Sequence, residues 1–220
     1  MNGTVRFEKW QHRIDRAERA LILPDGCRDV LVVCETGQPE RVFLTDLDFQ
    51  PRISELAAGT RITGFRLRPG AVVRDDVLQA IERDCERVED ILGNALDEAN
   101  DLDEVIVALT LPGASIEKVS KGAGVSLRTL QRRFREQGLP PPEYWRLLAR
   151  ARRAAGFLAT DLPLVEIASV CGFSDQAHMT RDLTRWFGGS PAQLRRDRHR
   201  LMLLSQPALG NWTGEQISTR

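Results

Sequence analysis

The chain has 220 residues, 42% of them hydrophobic, and its 31 basic and 31 acidic side chains give a formal net charge of zero. This composition excludes an intrinsically disordered chain, and no apolar run approaches the roughly 20 residues of a membrane span. The neutral sum argues against a nucleic-acid partner, but it conceals an asymmetry. Residues 1–110 hold 14 basic and 22 acidic side chains, net −8, whereas residues 111–220 hold 17 and 9, net +8. This asymmetry predicts two domains, and the basic half is the candidate for phosphate contact.

The first 70 residues have the pattern of short strands. A turn at Pro24-Asp25-Gly26 separates two apolar runs, and the alternation of polar and apolar residues before Pro69 is typical of a half-buried strand. Strands are predicted over residues 20–23, 28–33, 41–45 and 60–68. Several short strands with turn residues between them favour a small sandwich or partial barrel.

Beyond about residue 71 the apolar residues recur at helical spacing. One helical pattern extends from Val77 to Leu96, and another, capped around Asn100, reaches Leu109. The pattern breaks over residues 110–114, which form the predicted linker. The predicted fold class is therefore α+β, with a small β-rich N-terminal domain, trailing helices and an all-α C-terminal domain.

The basic half reads as a series of short helices. Ser115 and Ser126 are predicted N-caps, and the helix that follows Ser126 has Leu130 and Phe134 on its apolar face. Prolines at 140–142 open a bridging helix of about 17 residues, or roughly 25 Å. Successive major-groove faces of a duplex lie about 34 Å apart, so a helix of this size could hold two motifs in adjacent major-groove turns.

Residues 163–191 repeat the pattern of residues 115–141. Val119 and Ile167 each lie five residues before a glycine, and an apolar residue and a serine follow each glycine. Two copies of a helix, a glycine turn and a second helix that starts with exposed polar residues predict a pair of helix-turn-helix motifs. A plain helical bundle with coincidental turns is the alternative.

The first copy, Gly-Val-Ser-Leu-Arg-Thr-Leu-Gln-Arg-Arg-Phe at 124–134, resembles the first recognition helix of the AraC/XylS family of bacterial transcription regulators. Residues 167–181, with Phe-Gly-Gly-Ser-Pro at 187–191, resemble the second motif of that family. Met179 and Leu183 stand where the family usually has Phe, and both are apolar. The resemblance covers about residues 112–197.

This resemblance implies a sequence-specific regulator with two recognition helices, about 126–137 and 174–187, in adjacent major-groove segments of promoter DNA. Residues 23–29 and 64–71 resemble the β-rich domain that precedes this unit in one uncharacterised subgroup. In the wider family such domains sense small molecules or mediate dimerisation, which implies modulation by the N-terminal domain.

The expected DNA-contacting side chains lie at the exposed positions of the two recognition helices. Arg can bridge two acceptors of guanine and Gln two groups of adenine, while hydroxyls and backbone amides at helix starts can bind phosphate. Arg128, Gln131 and Arg132 are expected near base edges, as are Gln176 and Arg181, with Asp175 in a first turn. The full expected set is Ser126, Arg128, Thr129, Gln131, Arg132, Arg135, Ser174, Gln176, Ala177, His178 and Arg181.

Two further groups of arginines have open interpretations, because each could contact phosphate or form a solvated face. One group lies on the bridging helix and the other near the C-terminus. They are Arg146, Arg150, Arg152 and Arg153, and Arg195, Arg196, Arg198 and Arg200.

Cys27 suggests an alternative function, a DNA-damage or redox-responsive regulator with a reactive thiol. Only Arg28 beside it favours a thiolate, so a structural cysteine is the expectation. The four cysteines and three histidines lack zinc-site spacing. No nucleophile–base motif or phosphate-binding loop occurs, so we expect no enzyme activity, metal or cofactor.

The predicted domains are residues 1–110, residues 111–200 and a C-terminal tail, 201–220. The N-terminus has no apolar signal core, which favours a cytoplasmic protein with reduced thiols. Double-stranded promoter DNA is the expected partner. RNA polymerase, a small-molecule effector, a homodimer, and activation as opposed to repression all remain open.

Overall fold

The computed structural model describes residues 7–96 and 101–212, in which a β-rich part precedes a helical part. This order confirms the predicted α+β class. Asn100, expected as a cap, and residues 213–220 of the expected tail lie outside the described residues. The strands are β1 (Phe7–Ile14), β2 (Glu18–Ile22), β3 (Asp29–Glu35), β4 (Arg41–Leu44), β5 (Arg52–Leu56) and β6 (Thr60–Leu67).

The strands form two antiparallel sheets. One has the order β1-β6-β3-β4 and the other pairs β2 with β5. The four strands expected from the sequence are confirmed as β2, β3, β4 and β6, with bounds shifted by at most two residues. β1 and β5 were not expected.

The four-stranded sheet has two different faces because side chains alternate along each strand. Val30 and Val32 of β3 are buried in a cluster with Ile81 and Leu92 of the following helices. Leu31 and Val33 point to the other face, which lies towards the two-stranded sheet.

The pairing of β1 with β6 depends on a glycine. Trp10 lies opposite Gly64 in the register, and the Trp10 indole N–H donates to Asp29 Oδ1 over 2.7 Å. A Cβ added at Gly64 would lie only 2.1 Å from Trp10 Cε2. The ring therefore occupies the space that any other side chain at residue 64 would need.

We expect Gly64→Ala to lower the free energy of unfolding by about 1–3 kcal/mol, because the indole must move or the sheet must distort. Gly156→Ala is the matched control, since a Cβ there meets nothing within 4 Å and alanine is favoured in a helix. Urea unfolding of both variants measures the effect. Equal stability of the two variants would contradict the proposed steric conflict.

The helical part forms the larger core. Trp145 and Leu148 are buried together with Phe134, Met179 and Trp186 from flanking helices. The helices are α1 (Asp75–Arg83), α2 (Val88–Ala95), α3 (Asp101–Thr110), α4 (Ile116–Gly122), α5 (Leu127–Glu136), α6 (Pro142–Phe157), α7 (Leu164–Val170), α8 (Gln176–Phe187), α9 (Pro191–Arg196) and α10 (Arg198–Ser205). Among these helices, none has the length and apolarity to cross a membrane.

Residues on both sides of the predicted C-terminal domain, residues 111–200, belong to this core. Ile106 and Leu109 of α3 are buried in the same cluster as the α6 residues, and so are Leu204 and Leu209 near the end of the chain. The boundaries at residues 110/111 and 200/201 remain predictions. The hydrophobic contacts, however, cross both of them.

Residues 204–211, named here the C-terminal strap, lie between two buried arginines. Arg152 of α6 donates from Nη2 to the carbonyls of Leu204 (3.2 Å) and Gln206 (2.9 Å) and from Nε to the carbonyl of Leu209 (3.2 Å). Arg66 of β6 donates from Nε to the Pro207 carbonyl over 3.2 Å. The strap therefore joins the sheet to α6.

Arg152 corrects the expectation from the sequence. Both open interpretations placed its guanidinium at the surface, on phosphate or in solvent. The side chain is instead buried, at 6% exposure, and its donors are used by backbone carbonyls.

Candidate nucleic-acid interface

The two turns that precede α5 and α8 have the same backbone geometry. The Val125 N–H donates to the Ser120 carbonyl over 3.0 Å, and the Phe173 N–H donates to the Ala168 carbonyl over 2.9 Å. Between them the glycines at 124 and 172 have φ of 67° and 73°, a left-handed conformation that ends a helix and that glycine adopts without strain. The repeat seen in the sequence is therefore a repeat in structure.

The two recognition helices begin with different caps. Ser126 Oγ accepts from the Thr129 N–H over 3.2 Å at the start of α5, as expected. At the start of α8 the cap is Asp175, whose Oδ1 accepts from the His178 N–H over 2.6 Å. The second helix thus starts at Gln176, two residues later than the predicted 174.

On α5 the expected contact residues share one open face. Arg128, Gln131, Arg132 and Arg135 are exposed, whereas Leu130 and Phe134 are fully buried on the opposite side. Arg132 Nε lies 3.6 Å from Glu136 Oε1, with both side chains more than half exposed. Such a surface pair is weak, so it leaves the guanidinium available to another anion.

The hydroxyl groups of Ser126 and Thr129, at the start of α5, already interact with each other. Thr129 is half-buried, and its Oγ1 lies 2.9 Å from Ser126 Oγ. A hydroxyl that also contacted phosphate would therefore do so while it takes part in the helix cap.

On α8 the expected residues divide into two sets. Gln176, Ala177 and Arg181 are exposed. His178 is half-buried, with Nδ1 3.0 Å from Ser174 Oγ and Nε2 3.2 Å from Arg150 Nη2. Ser174 and His178 therefore hold each other and the end of the turn, in addition to any contact with DNA.

Arg150 fixes the second motif to the bridging helix α6. Its Nη2 donates to Asp182 Oδ2 over 2.7 Å, and its guanidinium carbon lies 4.4 Å from the centre of the Phe173 ring. The arginine was expected on phosphate or in solvent. It instead holds the second turn and the middle of α8 against α6.

Most of the other arginines with open interpretations also have partners in the protein. Arg195 donates to the Leu162 carbonyl over 2.7 Å, and Arg200 donates to the Gly188 carbonyl over 2.9 Å. Arg153 donates to the Thr110 carbonyl, and Arg146 pairs with Glu143. Arg196 and Arg198 are exposed, which leaves both interpretations open for these two.

The β-rich N-terminal part, residues 7–67, contacts the C-terminal end of each recognition helix. Arg28 Nη2 donates to the Gly138 carbonyl, just after α5, over 3.4 Å. A Cβ on Gly188, just after α8, would lie 3.2 Å from Pro51 Cγ. Between these points the Tyr144 hydroxyl donates to the Asp48 carbonyl over 3.0 Å. The capped starts of α5 and α8 remain exposed.

The cap carboxylate of Asp175 makes the start of α8 sensitive to pH. The backbone hydrogen bond from His178, together with the Ser174 hydroxyl and Arg181, holds the pKa of Asp175 below its usual range. A carboxyl group whose pKa is lower in the folded state stabilises that state above its unfolded pKa. The contribution is lost as the pH falls through the folded pKa.

We expect the His178 amide to exchange faster as the pH falls below about 4, beyond the intrinsic change in exchange rate. Asp175→Asn retains an acceptor that does not titrate and should show no such step, whereas Asp175→Ala should exchange rapidly at every pH. Amide exchange followed by NMR measures all three proteins. The same pH step in Asp175→Asn would contradict the role of the carboxylate.

Cys27 lies in an environment opposite to that of a reactive thiol. Its side chain is buried at 6% exposure, and burial raises the pKa of Cys27 to about 12, although Arg66 opposes the shift. Reactive cysteines have lowered pKa values and access to solvent. The structure therefore gives no support to the alternative function based on Cys27.

We expect iodoacetamide at pH 8 to modify Cys34, which is half-buried, well before the buried Cys27 and Cys171. Peptide mapping by mass spectrometry after short exposures measures the order of modification. A sample unfolded in urea, in which all four cysteines react, is the control. Modification of Cys27 as fast as Cys34 in the folded protein would overturn this assignment.

Metal ligation has no candidate in the part of the chain that the structure describes, where no three His, Cys, Asp or Glu side chains are grouped to hold an ion. The chemistry available at α5 and α8 is instead hydrogen bonding by exposed guanidinium and amide groups. This combination suits base edges and phosphates. Two motifs with these features and a shared turn geometry define a helix-turn-helix domain.

This domain is similar to domains of known transcriptional regulators. Residues 119–197 match a family described as a helix-turn-helix domain. The transcriptional regulator RipA of Corynebacterium glutamicum is 33% identical over 89 residues, which cover 40% of this chain and 27% of RipA. VirS of Mycobacterium tuberculosis, also an HTH-type transcriptional regulator, is 39% identical over 84 residues, 37% of this chain and 24% of VirS. This chain therefore spans about a quarter of the length of these curated relatives.

A solved structure from Chromobacterium violaceum, of a transcriptional regulator with an AraC-type DNA-binding domain, is 27% identical. The match covers 45% of this chain and 88% of that one, with a TM-score of 0.39. The family match and the relatives agree with the resemblance found in the sequence. Residues 119–197 are therefore similar to the helix-turn-helix domains of transcriptional regulators.

Proposed function

We propose that this protein is a sequence-specific DNA-binding regulator of transcription, whose helices α5 and α8 enter adjacent major-groove segments of promoter DNA. The observation that carries the proposal is the repeated turn, which leaves the polar start of each recognition helix exposed. The names of the AraC-type relatives, transcriptional regulators, support it. The bridging helix supports it too, since its 16 residues separate the two motifs.

The side chains proposed to read bases are a subset of those expected from the sequence. Arg128, Gln131 and Arg132 on α5, with Gln176 and Arg181 on α8, are exposed. Positioning on phosphate is assigned to Ser126, Thr129 and Arg135 and to the start of α8, where Ser174, Ala177 and His178 lie. The charge of the basic half supports both roles, since residues 111–220 carry a net charge of +8.

Modulation by the N-terminal part is the second element of the proposal. Arg28, Asp48 and Pro51 contact the helical part at the ends of α5 and α8 and at α6 between them. A shift of this part would therefore change the spacing of the two recognition helices. RNA polymerase contact and a homodimer remain predictions from the resemblance, and so does the division at residue 110.

We expect Arg132→Ala and Arg181→Ala each to weaken binding to a preferred duplex by about 5- to 150-fold, because a bidentate contact to guanine contributes about 1–3 kcal/mol. The preferred duplex is first selected from a random-sequence library with the full chain. Fluorescence anisotropy at several salt concentrations then measures affinity, which should fall steeply with salt.

Arg87→Ala is the control for charge, because Arg87 is also exposed, at 64% of its side chain, but lies in the N-terminal part. It should bind within about twofold of the wild type, because an exposed charge distant from DNA is largely screened. The absence of any selected sequence, or salt-independent binding, would refute the proposed function. Unchanged affinity in both Arg132→Ala and Arg181→Ala would refute the assignment of these residues to base contacts.

A further inference from the structure

A small cavity of about 180 Å³ lies among the bridging helix α6, the linker that follows α3 and the turn that precedes α8. Leu111 and Gly113 of the linker line it, and so do Cys171 and Gly172 of the turn. The cavity is smaller than the roughly 300 Å³ at which pockets for drug-sized ligands begin. Its size therefore suits a compact ion or a single charged group.

The remaining wall of the cavity is formed by three arginines of α6. Arg146, Arg150 and Arg153 are spaced four and three residues apart, which places them on one face of the helix. Of the described residues that line the cavity, none is an Asp or a Glu. The walls thus present positive charge without an acidic group among them.

Two of these arginines have carboxylate partners that do not line the cavity. Arg146 pairs with Glu143, and Arg150 Nη2 donates to Asp182 Oδ2 over 2.7 Å. Arg153 instead donates to a backbone carbonyl, which carries no net charge. Three guanidinium groups and two carboxylates leave this cluster with a net charge of +1.

Glu117, at the start of α4, is a further carboxylate near Arg146. Hydrogen bonds from its own backbone N–H and from Ser115 lower the pKa of Glu117, and Arg146 adds a smaller effect. The Glu117 side chain is exposed and does not line the cavity. Solvent therefore screens its charge from an ion inside.

The guanidinium groups retain donors for a further acceptor. Each has five N–H donors, and the hydrogen bonds to Glu143, to Asp182 and to the linker engage only Nη2 of each arginine. Arg150 Nε is buried and has no hydrogen-bond partner among the residues that the structure describes. A buried donor without a partner is costly, and an oxyanion in the cavity would offer it an acceptor.

We propose that this cavity binds a phosphate group, held by the three arginines of α6. Guanidinium groups bind phosphate oxygens through paired N–H donors, whereas a neutral molecule of the same size would leave the positive charge uncompensated. A free phosphate ion and a phosphate of the DNA backbone between the two major-groove segments share this chemistry. The first source is independent of the proposed function, and the second rests on it.

A phosphate in this cavity would act on the second motif. Arg150 Nη2 lies 3.2 Å from His178 Nε2 and also donates to Asp182, both on α8. Gly172 of the turn lines the same cavity as Gly113 of the linker. One anion would therefore join the linker, α6 and the start of the second motif.

The first test uses the full chain without DNA and inorganic phosphate as the probe. An NMR titration follows the amides of Gly113 and Gly172, which line the cavity, with sodium chloride at the same ionic strength as the reference. Phosphate should shift both amides saturably, while chloride should not. Gly124, the corresponding glycine of the first turn, is the internal control and should not shift.

No saturable shift with phosphate, or an equal shift with chloride, would overturn the proposal. Because DNA is absent, this result does not depend on the proposed function.

Two variants with opposite expected effects locate the site. Arg146→Gln removes a guanidinium whose side chain is 27% exposed, so the fold should tolerate it, and should weaken phosphate binding about fivefold. Glu143→Gln removes the carboxylate partner of Arg146 and should strengthen binding about twofold. Arg185→Gln, at an exposed arginine of α8 outside the cavity, is the matched control and should bind as the wild type does. Wild-type affinity in both Arg146→Gln and Glu143→Gln would place the phosphate elsewhere and overturn the assignment.

The source of the phosphate is assigned with the selected duplex. If saturating duplex displaces phosphate from the cavity, the site takes a phosphate of the DNA backbone, and Arg146→Gln should then reduce the salt slope of duplex binding by about one. If phosphate stays bound beside the duplex, the site takes a free anion. Either result supports the phosphate site. A duplex that does not bind at all would count against the proposed function, while the titration without DNA still decides the site.

Discussion

The buried guanidinium of Arg152 is the interaction on which the arrangement of the two parts depends. A planar group with five donors can satisfy several carbonyls at once, and Arg152 reaches those of Leu204, Gln206 and Leu209. Without it these carbonyls would each lose a donor, which is costly in a protein interior. Burial lowers the pKa of Arg152, yet a guanidinium keeps its proton at neutral pH. Arg152 holds the strap, in which the Pro207 carbonyl accepts a hydrogen bond from Arg66 of β6. One side chain of α6 therefore fixes the position of the sheet.

The sequence was informative about the fold wherever the structure is local. The repeated glycine turns depend on hydrogen bonds spanning a few residues, and their pattern is visible in the spacing of residues along the chain. β1 was missed because polar or charged residues such as Glu8 and His12 occur on the face that also carries Trp10. β5 has only two strongly apolar residues, Leu56 at its end and Ile53, and Ile53 is exposed at 48%. Neither strand therefore shows the contrast that burial of one face produces.

For the candidate interface, helical spacing from the buried Leu130 was sufficient to place Arg132 on the exposed face. The partners of His178 could not be found in this way, because Arg150 comes from another helix 28 residues away. The role of Arg152 was hidden for the same reason, since its acceptors lie more than 50 residues further on. A charged residue on a helix suggests a solvated side chain until the segment that covers it is known.

The two motifs share a turn but differ at the N-cap, the residue just before each recognition helix, where one has the neutral Ser126 and the other the carboxylate of Asp175. A single chain that carries both has no twofold axis relating them. Any duplex that fits this surface would be read in one orientation, and inversion of that sequence would place each half of the site under the wrong motif. The protein itself would then give its binding site a direction along the DNA, without a partner subunit.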